Sequence, residues 1–120
     1  MINYIKYRIK NLIRESNGTI TFVDLMKLPR FKGNHGVWNK EYNLVYWLEV
    51  SDIFGQAVQE LARDSIIQLV PTSTLTYLSK GYYLDTSPEL CLQNHNPPRW
   101  LPVVLTKGSN FDHRLLNLCD

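Results

Sequence analysis

At 120 residues and 14.0 kDa the chain has room for one hydrophobic core and not for two. Apolar residues make up 44% and charged residues 20%, with three Trp, a composition that excludes an intrinsically disordered chain. Residues 1–40 hold eight Lys or Arg against Glu15 and Asp24, a balance of +6, while residues 41–120 hold five basic against nine acidic residues, a balance of −4. Such asymmetry points to a polyanion or an acidic partner contacting the first third.

No uncharged run approaches the ~18 residues of a membrane span. Lys6, Arg8 and Lys10 interrupt the apolar pattern at the N-terminus, which is wrong for a secretory leader, so a cytoplasmic location is expected. Cys91 and Cys119 are 28 positions apart without C-x-x-C spacing, and two reduced thiols are expected in place of a disulfide framework or zinc knuckle.

In chain order, Ile2, Ile5, Ile9, Leu12 and Ile13 recur at helical spacing with basic residues between them, predicting an amphipathic helix over residues 2–15. Asn17-Gly18 suits its C-terminal cap. Thr19-Ile20 can form a short strand, and Thr21 with Asp24 has capping-box spacing for a second helix over 22–28, stopped by Pro29. Residues 30–42 contain Gly33 and Gly36 with no sustained period and are expected to be a loop. Residues 44–50 are compatible with a strand or a buried helical turn.

Ser51 or Asp52 can cap a third helix running to Arg63, with Ile53, Phe54, Ala57, Val58 and Leu61 on one side. Residues 66–70 and 75–78 are strand-like runs about a Pro71-Thr72-Ser73-Thr74 turn, predicting a hairpin; residues 82–84 could add a short strand. Asn94-His95-Asn96-Pro97-Pro98 reads as a rigid connector. Residues 100–105, interrupted by Pro102, fit an edge strand or an extended cover for the core. The domain is expected to span 1–106, with 107–120 a tail that docks as a short helix or moves freely.

The segment Ser51-Asp-Ile-Phe-Gly-Gln-Ala-Val-Gln-Glu-Leu-Ala-Arg-Asp-Ser-Ile-Ile-Gln-Leu-Val70, followed by Thr74-Leu-Thr-Tyr77, resembles the winged helix-turn-helix superfamily. It carries a small residue, Ala57, and a Leu four positions on, Leu61, then a polar turn and an apolar strand. The resemblance covers about half the chain. It implies an α+β, winged-helix-like fold of three helices, a hairpin wing and an added C-terminal strand or extended segment. The sequence departs from that pattern in having Asp64-Ser65 where a Gly is usual, and a long stretch over 30–50.

A winged helix that binds DNA lays its third helix in the major groove, where Gln pairs with adenine and Arg with guanine. Gln56, Gln59 and Arg63 are the residues for that role, opposed by the carboxylates of Asp52, Glu60 and Asp64. Lys6, Lys10 and Arg14, four apart, predict a basic ridge on the first helix. Arg30, Lys32 and Lys40 flank rings, Phe31, His35, Trp38 and Tyr42, suited to stacking on bases. The competing expectation is a protein-interaction module or homodimer built on Tyr77, Tyr82, Tyr83 and the Trp100 segment. No G-x-S-x-G, phosphate-cradling loop or H-E-x-x-H occurs, His35, His95 and His113 are dispersed, and only Cys91 and His95 have a spacing that could pair them. Neither an enzyme, a cofactor nor a small-molecule ligand is therefore expected.

Overall fold

The computed structural model describes residues 1–84 and 98–112. Helix α1 (Ile2–Glu15) buries Ile5, Ile9 and Ile13 on one side. It ends where Asn17 and Gly18 both take left-handed backbone, φ 60° and 90°, so that the Gly18 N–H reaches the Ile13 carbonyl at 2.8 Å. Strand β1 (Thr19–Ile20) leads into α2 (Phe22–Leu25). The capping box at its start is complete: Asp24 N–H donates to Thr21 Oγ1 at 3.3 Å and Thr21 N–H to Asp24 Oδ2 at 2.8 Å. The helix stops earlier than the expected residue 28. Lys27 and Leu28 donate to Asp24 and Leu25, three residues back, and these tight turns carry the chain to Pro29.

The expected loop over 30–42 is instead mostly a strand. Strand β2 (Lys32–Asn39) pairs antiparallel with β3 (Leu44–Val50). Register shifts at Lys32/His35, His35/Gly36 and Val37/Trp38 break the two-residue alternation that would have revealed it. Gly33 is required here, because a Cβ at that position would collide with the Ser51 backbone.

Helix α3 (Asp52–Arg63) is capped by Ser51, whose hydroxyl accepts the Phe54 N–H at 3.2 Å and donates to the Arg30 carbonyl. Phe54, Ala57, Val58 and Leu61 face inward, and α3 packs against both α1 and β2. Strand β4 (Ile67–Pro71) follows.

The second arm of the predicted hairpin is absent. Residues 74–78 form helix α4 (Thr74–Leu78), a fourth helix where three were expected, with Ser73 Oγ accepting the Leu75 N–H at 3.1 Å. Burial of Tyr77 decides this: its ring is fully enclosed, and its hydroxyl accepts the Phe22 N–H and donates to the Val103 carbonyl. Residues 82–84 form no strand.

Strand β5 (Arg99–Trp100) runs parallel to β3 at an edge of one sheet. Pro102 lies between β5 and β6 (Val103–Lys107), so it interrupts neither ladder, and β6 is a central strand and not an edge or a cover. The strand orders are β1-β6-β4 and β2-β3-β5, each sheet having three strands among the described residues. One apolar cluster joins them, including Ile9, Phe22, Trp47, Phe54, Tyr77 and Leu105. Phe22 stacks on Trp47 with ring centroids 5.9 Å apart, and Trp47 meets the Tyr77 ring at 5.2 Å with a 30° tilt, joining β3 to α2 and α4.

The body extends past the expected boundary at 106. Lys107 completes β6, and Phe111, 2% exposed, belongs to the core. The predicted connector over 94–98, apart from Pro98, and the end of the predicted tail, 113–120, lie outside the described residues. Among the described residues no helix is long and apolar enough to cross a membrane.

Candidate nucleic-acid interface

The basic residues of α1 do not form an open ridge. Lys6 points into the α1–α3 contact, where its Nζ lies 2.6 Å from Glu60 Oε1, with side-chain exposures of 11% and 23%. Lys10 is buried beside the Phe111 ring, and burial, helped by the Arg14 charge and opposed by Asp112, holds its ammonium below the usual range. Arg14 is exposed and donates to Asn11 Oδ1 at 2.8 Å. A helical spacing of four places these residues together but does not say which side faces water. Long lysine stems can cover apolar surface as they do here.

The Lys6–Glu60 pair changes the electrostatics of α3. One Glu60 oxygen takes the Lys6 ammonium, and the other accepts Gln56 Nε2 at 2.9 Å. These two hydrogen bonds, Lys6 first, hold the Glu60 carboxyl below its ordinary range. Asp64 is similarly engaged by Arg63, through Nε–Oδ1 at 3.0 Å and a second bond at 3.2 Å. Of the three carboxylates that counted against this helix in sequence, Glu60 and Asp64 are thus each paired with a cation.

Gln56, Gln59 and Arg63 are all exposed, at spacings of three and four, so they form one stripe along the outside of α3. Beside the first two lies an open concavity of ≈ 390 Å³ between α3 and β2, lined also by His35, Trp38, Lys40 and Asp52. Gly36 permits a close approach here, since Trp38 folds its indole over it where a Cβ would clash. Lys40 reaches the site from the turn between β2 and β3, where Asn43 takes left-handed backbone and donates to the Lys40 carbonyl.

Lys40, Gln56 and Gln59, chosen from separate stretches of sequence, therefore meet on one surface, together with the rings of His35 and Trp38. Arg30 does not join them there, and Lys32 lines an adjoining concavity with His35 and Trp38. Lys32 borders a second, more apolar groove with Met26, Phe31, Trp47, Tyr82 and Tyr83, and Arg30, with φ 68°, serves the α3 cap through its carbonyl. Tyr77, named for a partner surface, is interior. Lys107 and Phe111 fall in the expected tail, where the apolar Phe111 in an otherwise polar stretch is the signal for the docking seen here.

His95, His113, Cys91 and Cys119 lie outside the described residues. Among the described residues no group of three or more His, Cys, Asp or Glu side chains could hold a metal ion. Compared with family models, curated proteins and solved structures, the chain matches none.

Proposed function

We propose that this chain is a winged-helix-like domain that binds duplex DNA through the outer stripe of α3 and the adjoining end of β2. The observation that carries the reading is the convergence of Lys40, Gln56, Gln59, His35 and Trp38 on one open concavity. Gln56 and Gln59 have the side-chain chemistry to read base edges in a major groove, and Lys40 stands beside them to neutralise a phosphate. Pairing of Glu60 with Lys6 and of Asp64 with Arg63 lowers the repulsion that bare carboxylates would set against the DNA backbone.

The order of elements supports the winged build. Helix α1, short strand β1, helix α2 and helix α3 precede an antiparallel pair, β4 and β6, to which β1 adds through β6. In this reading the β2–β3 hairpin is an insertion before the third helix, which accounts for the long stretch over 30–50. The strands of the wing are β4 and β6, and α4 follows the first of them.

Fluorescence anisotropy with labelled duplex and single-stranded oligonucleotides across a salt series tests the function. Duplex binding that weakens steeply with salt is expected, and Lys40→Ala should reduce the slope of log K against log salt by about 1. Gln59→Ala should weaken binding to a preferred sequence about tenfold. Absence of binding to either probe at low salt overturns the proposal.

Exposed Tyr82, Tyr83 and Met26 around the apolar groove favour a second reading, a protein partner or a homodimer. Sedimentation that stays monomeric up to high protein concentration removes the homodimer.

A further inference from the structure

Three cations from two elements converge on one buried ring. Lys10 Nζ and Arg14 Cζ of α1 lie 5.1 and 5.4 Å from the Phe111 centroid, and Lys107 Nζ, at the end of β6, lies 5.2 Å from it. No two of them can be further apart than about 10.6 Å, the sum of the two longer distances, which is close to the screening length of about 8–10 Å in physiological salt. Each therefore feels the others.

The ring that gathers them is held in place. Phe111 N–H donates to Gly108 O at 3.1 Å, Gly108 N–H to Ile66 O at 3.0 Å, and Asn110 N–H to Ser65 O at 2.8 Å, tying the 108–111 turn to the link between α3 and β4. Gly108 makes this possible, because a Cβ there would run into the Ser65 carbonyl. The face of the ring attracts each cation. The Asp112 charge favours the ammonium of Lys10, and Asp64 is engaged by Arg63.

We propose that Lys10, Arg14 and Lys107, gathered around Phe111, form a binding site for a phosphoryl group. Arg14 and Lys107 are exposed and supply the hydrogen-bond donors, the guanidinium in the planar fork that suits a phosphate oxygen pair. Lys10, nearly enclosed, supplies fixed positive charge behind them. Burial and Arg14 hold its ammonium below the usual range, and a bound oxyanion would reverse that displacement. The phosphoryl group could belong to a DNA backbone or to a free phosphate; only the first source rests on the DNA-binding reading above.

The test compares thermal unfolding of the full chain in sodium phosphate and in sodium chloride at equal ionic strength, for wild type, Arg14→Gln, Lys107→Gln, the double variant and Lys27→Gln. Lys27 is an exposed lysine just beyond α2 and away from the cluster in sequence. Phosphate should raise Tm by several degrees more than chloride, as expected for a ligand well above its Kd. The increment should at least halve in each single variant, vanish in the double variant and persist in Lys27→Gln. Amide shifts at Lys107 and Phe111 during a phosphate titration give a measure independent of stability. Equal Tm in the two salts without such shifts, or an increment that survives the double variant, overturns the site. With duplex DNA, a salt slope reduced by about 2 in the double variant assigns the phosphate to the backbone. An unchanged slope alongside a lost phosphate increment supports a free-phosphate site. A phosphate increment that behaves as stated in a protein that binds no oligonucleotide supports the site while removing the DNA reading.

Discussion

Replacing Tyr77 with Phe removes one oxygen from the centre of the molecule. The ring is fully buried between Trp47, at 5.2 Å, and Trp100, at 5.5 Å, and Phe retains those contacts, so the effect isolates the hydroxyl. That hydroxyl accepts the Phe22 N–H at the start of α2 and donates to the Val103 carbonyl at the start of β6. Its loss leaves a buried donor and a buried acceptor without this partner, at about 1–3 kcal/mol each and toward the lower end for a carbonyl with two lone pairs, or about 2–4 kcal/mol together. Against a total stability of about 5–15 kcal/mol that is a substantial fraction. Urea unfolding should show a lower midpoint with an unchanged m-value.

A pH series sharpens the test. Burial pushes the Tyr77 phenol up to about 12, from an ordinary value of 10.0. Between those values the unfolded chain releases a proton that the native chain retains, so stability falls as pH rises through this window. The Tyr77 share of that fall is about 2–3 kcal/mol. The gap between wild type and Tyr77→Phe should therefore be full below pH 10 and narrow toward pH 12. A difference under about 0.5 kcal/mol at neutral pH, below the usual value of one hydrogen bond, would refute the claim that this hydroxyl ties α4 to α2 and β6.

Other substitutions separate architecture from surface. Gly33→Ala drives a methyl into the Ser51 backbone and should cost about 2 kcal/mol or more, whereas Gly36→Ala meets mainly the Trp38 and Leu48 side chains and should cost less; urea midpoints rank the two. Lys6→Met leaves Glu60 without its ammonium and should lower stability by about 2 kcal/mol, while the Lys6→Met/Glu60→Leu double variant recovers much of the loss; a double-mutant cycle measures the coupling. Because the Lys6 bond holds the Glu60 carboxyl below its ordinary value of 4.5, the stability from that shift is present above this pH and lost as pH falls through the folded value. Glu60→Gln should therefore flatten the acid limb of the unfolding midpoint.

The two long helices were legible because each has enough turns to display its period: Ile5, Ile9 and Ile13 in α1, and Phe54, Ala57, Val58 and Leu61 in α3. Local chemistry sufficed at β1 and at the Thr21 cap. It failed where geometry depends on distant partners. In β2 the bulges opposite Val50 and Trp47 scramble alternation, and glycines suggestive of a loop are demanded by the backbone of Ser51 and the indole of Trp38. In α4, five residues rich in Thr and Tyr have strand propensity, and only enclosure of Tyr77 by other elements selects a helix. At the site, Gln56, Gln59 and Lys40 were identifiable from residue type, but their meeting depends on the β2–α3 contact. Lys6 and Lys10 were misjudged because charge alone does not reveal that Glu60 and Phe111 cover them.

The central claim is that the α3 stripe and the end of β2 contact DNA. Titrating the ¹⁵N-labelled chain with a short duplex at low salt addresses it most directly. The account predicts fast or intermediate exchange confined to His35, Trp38, Lys40, Gln56, Gln59 and Arg63, with the Arg14 and Lys107 region following if the backbone reaches it. Shifts centred on Met26, Tyr82 and Tyr83, or a spectrum unmoved by excess duplex, would contradict it.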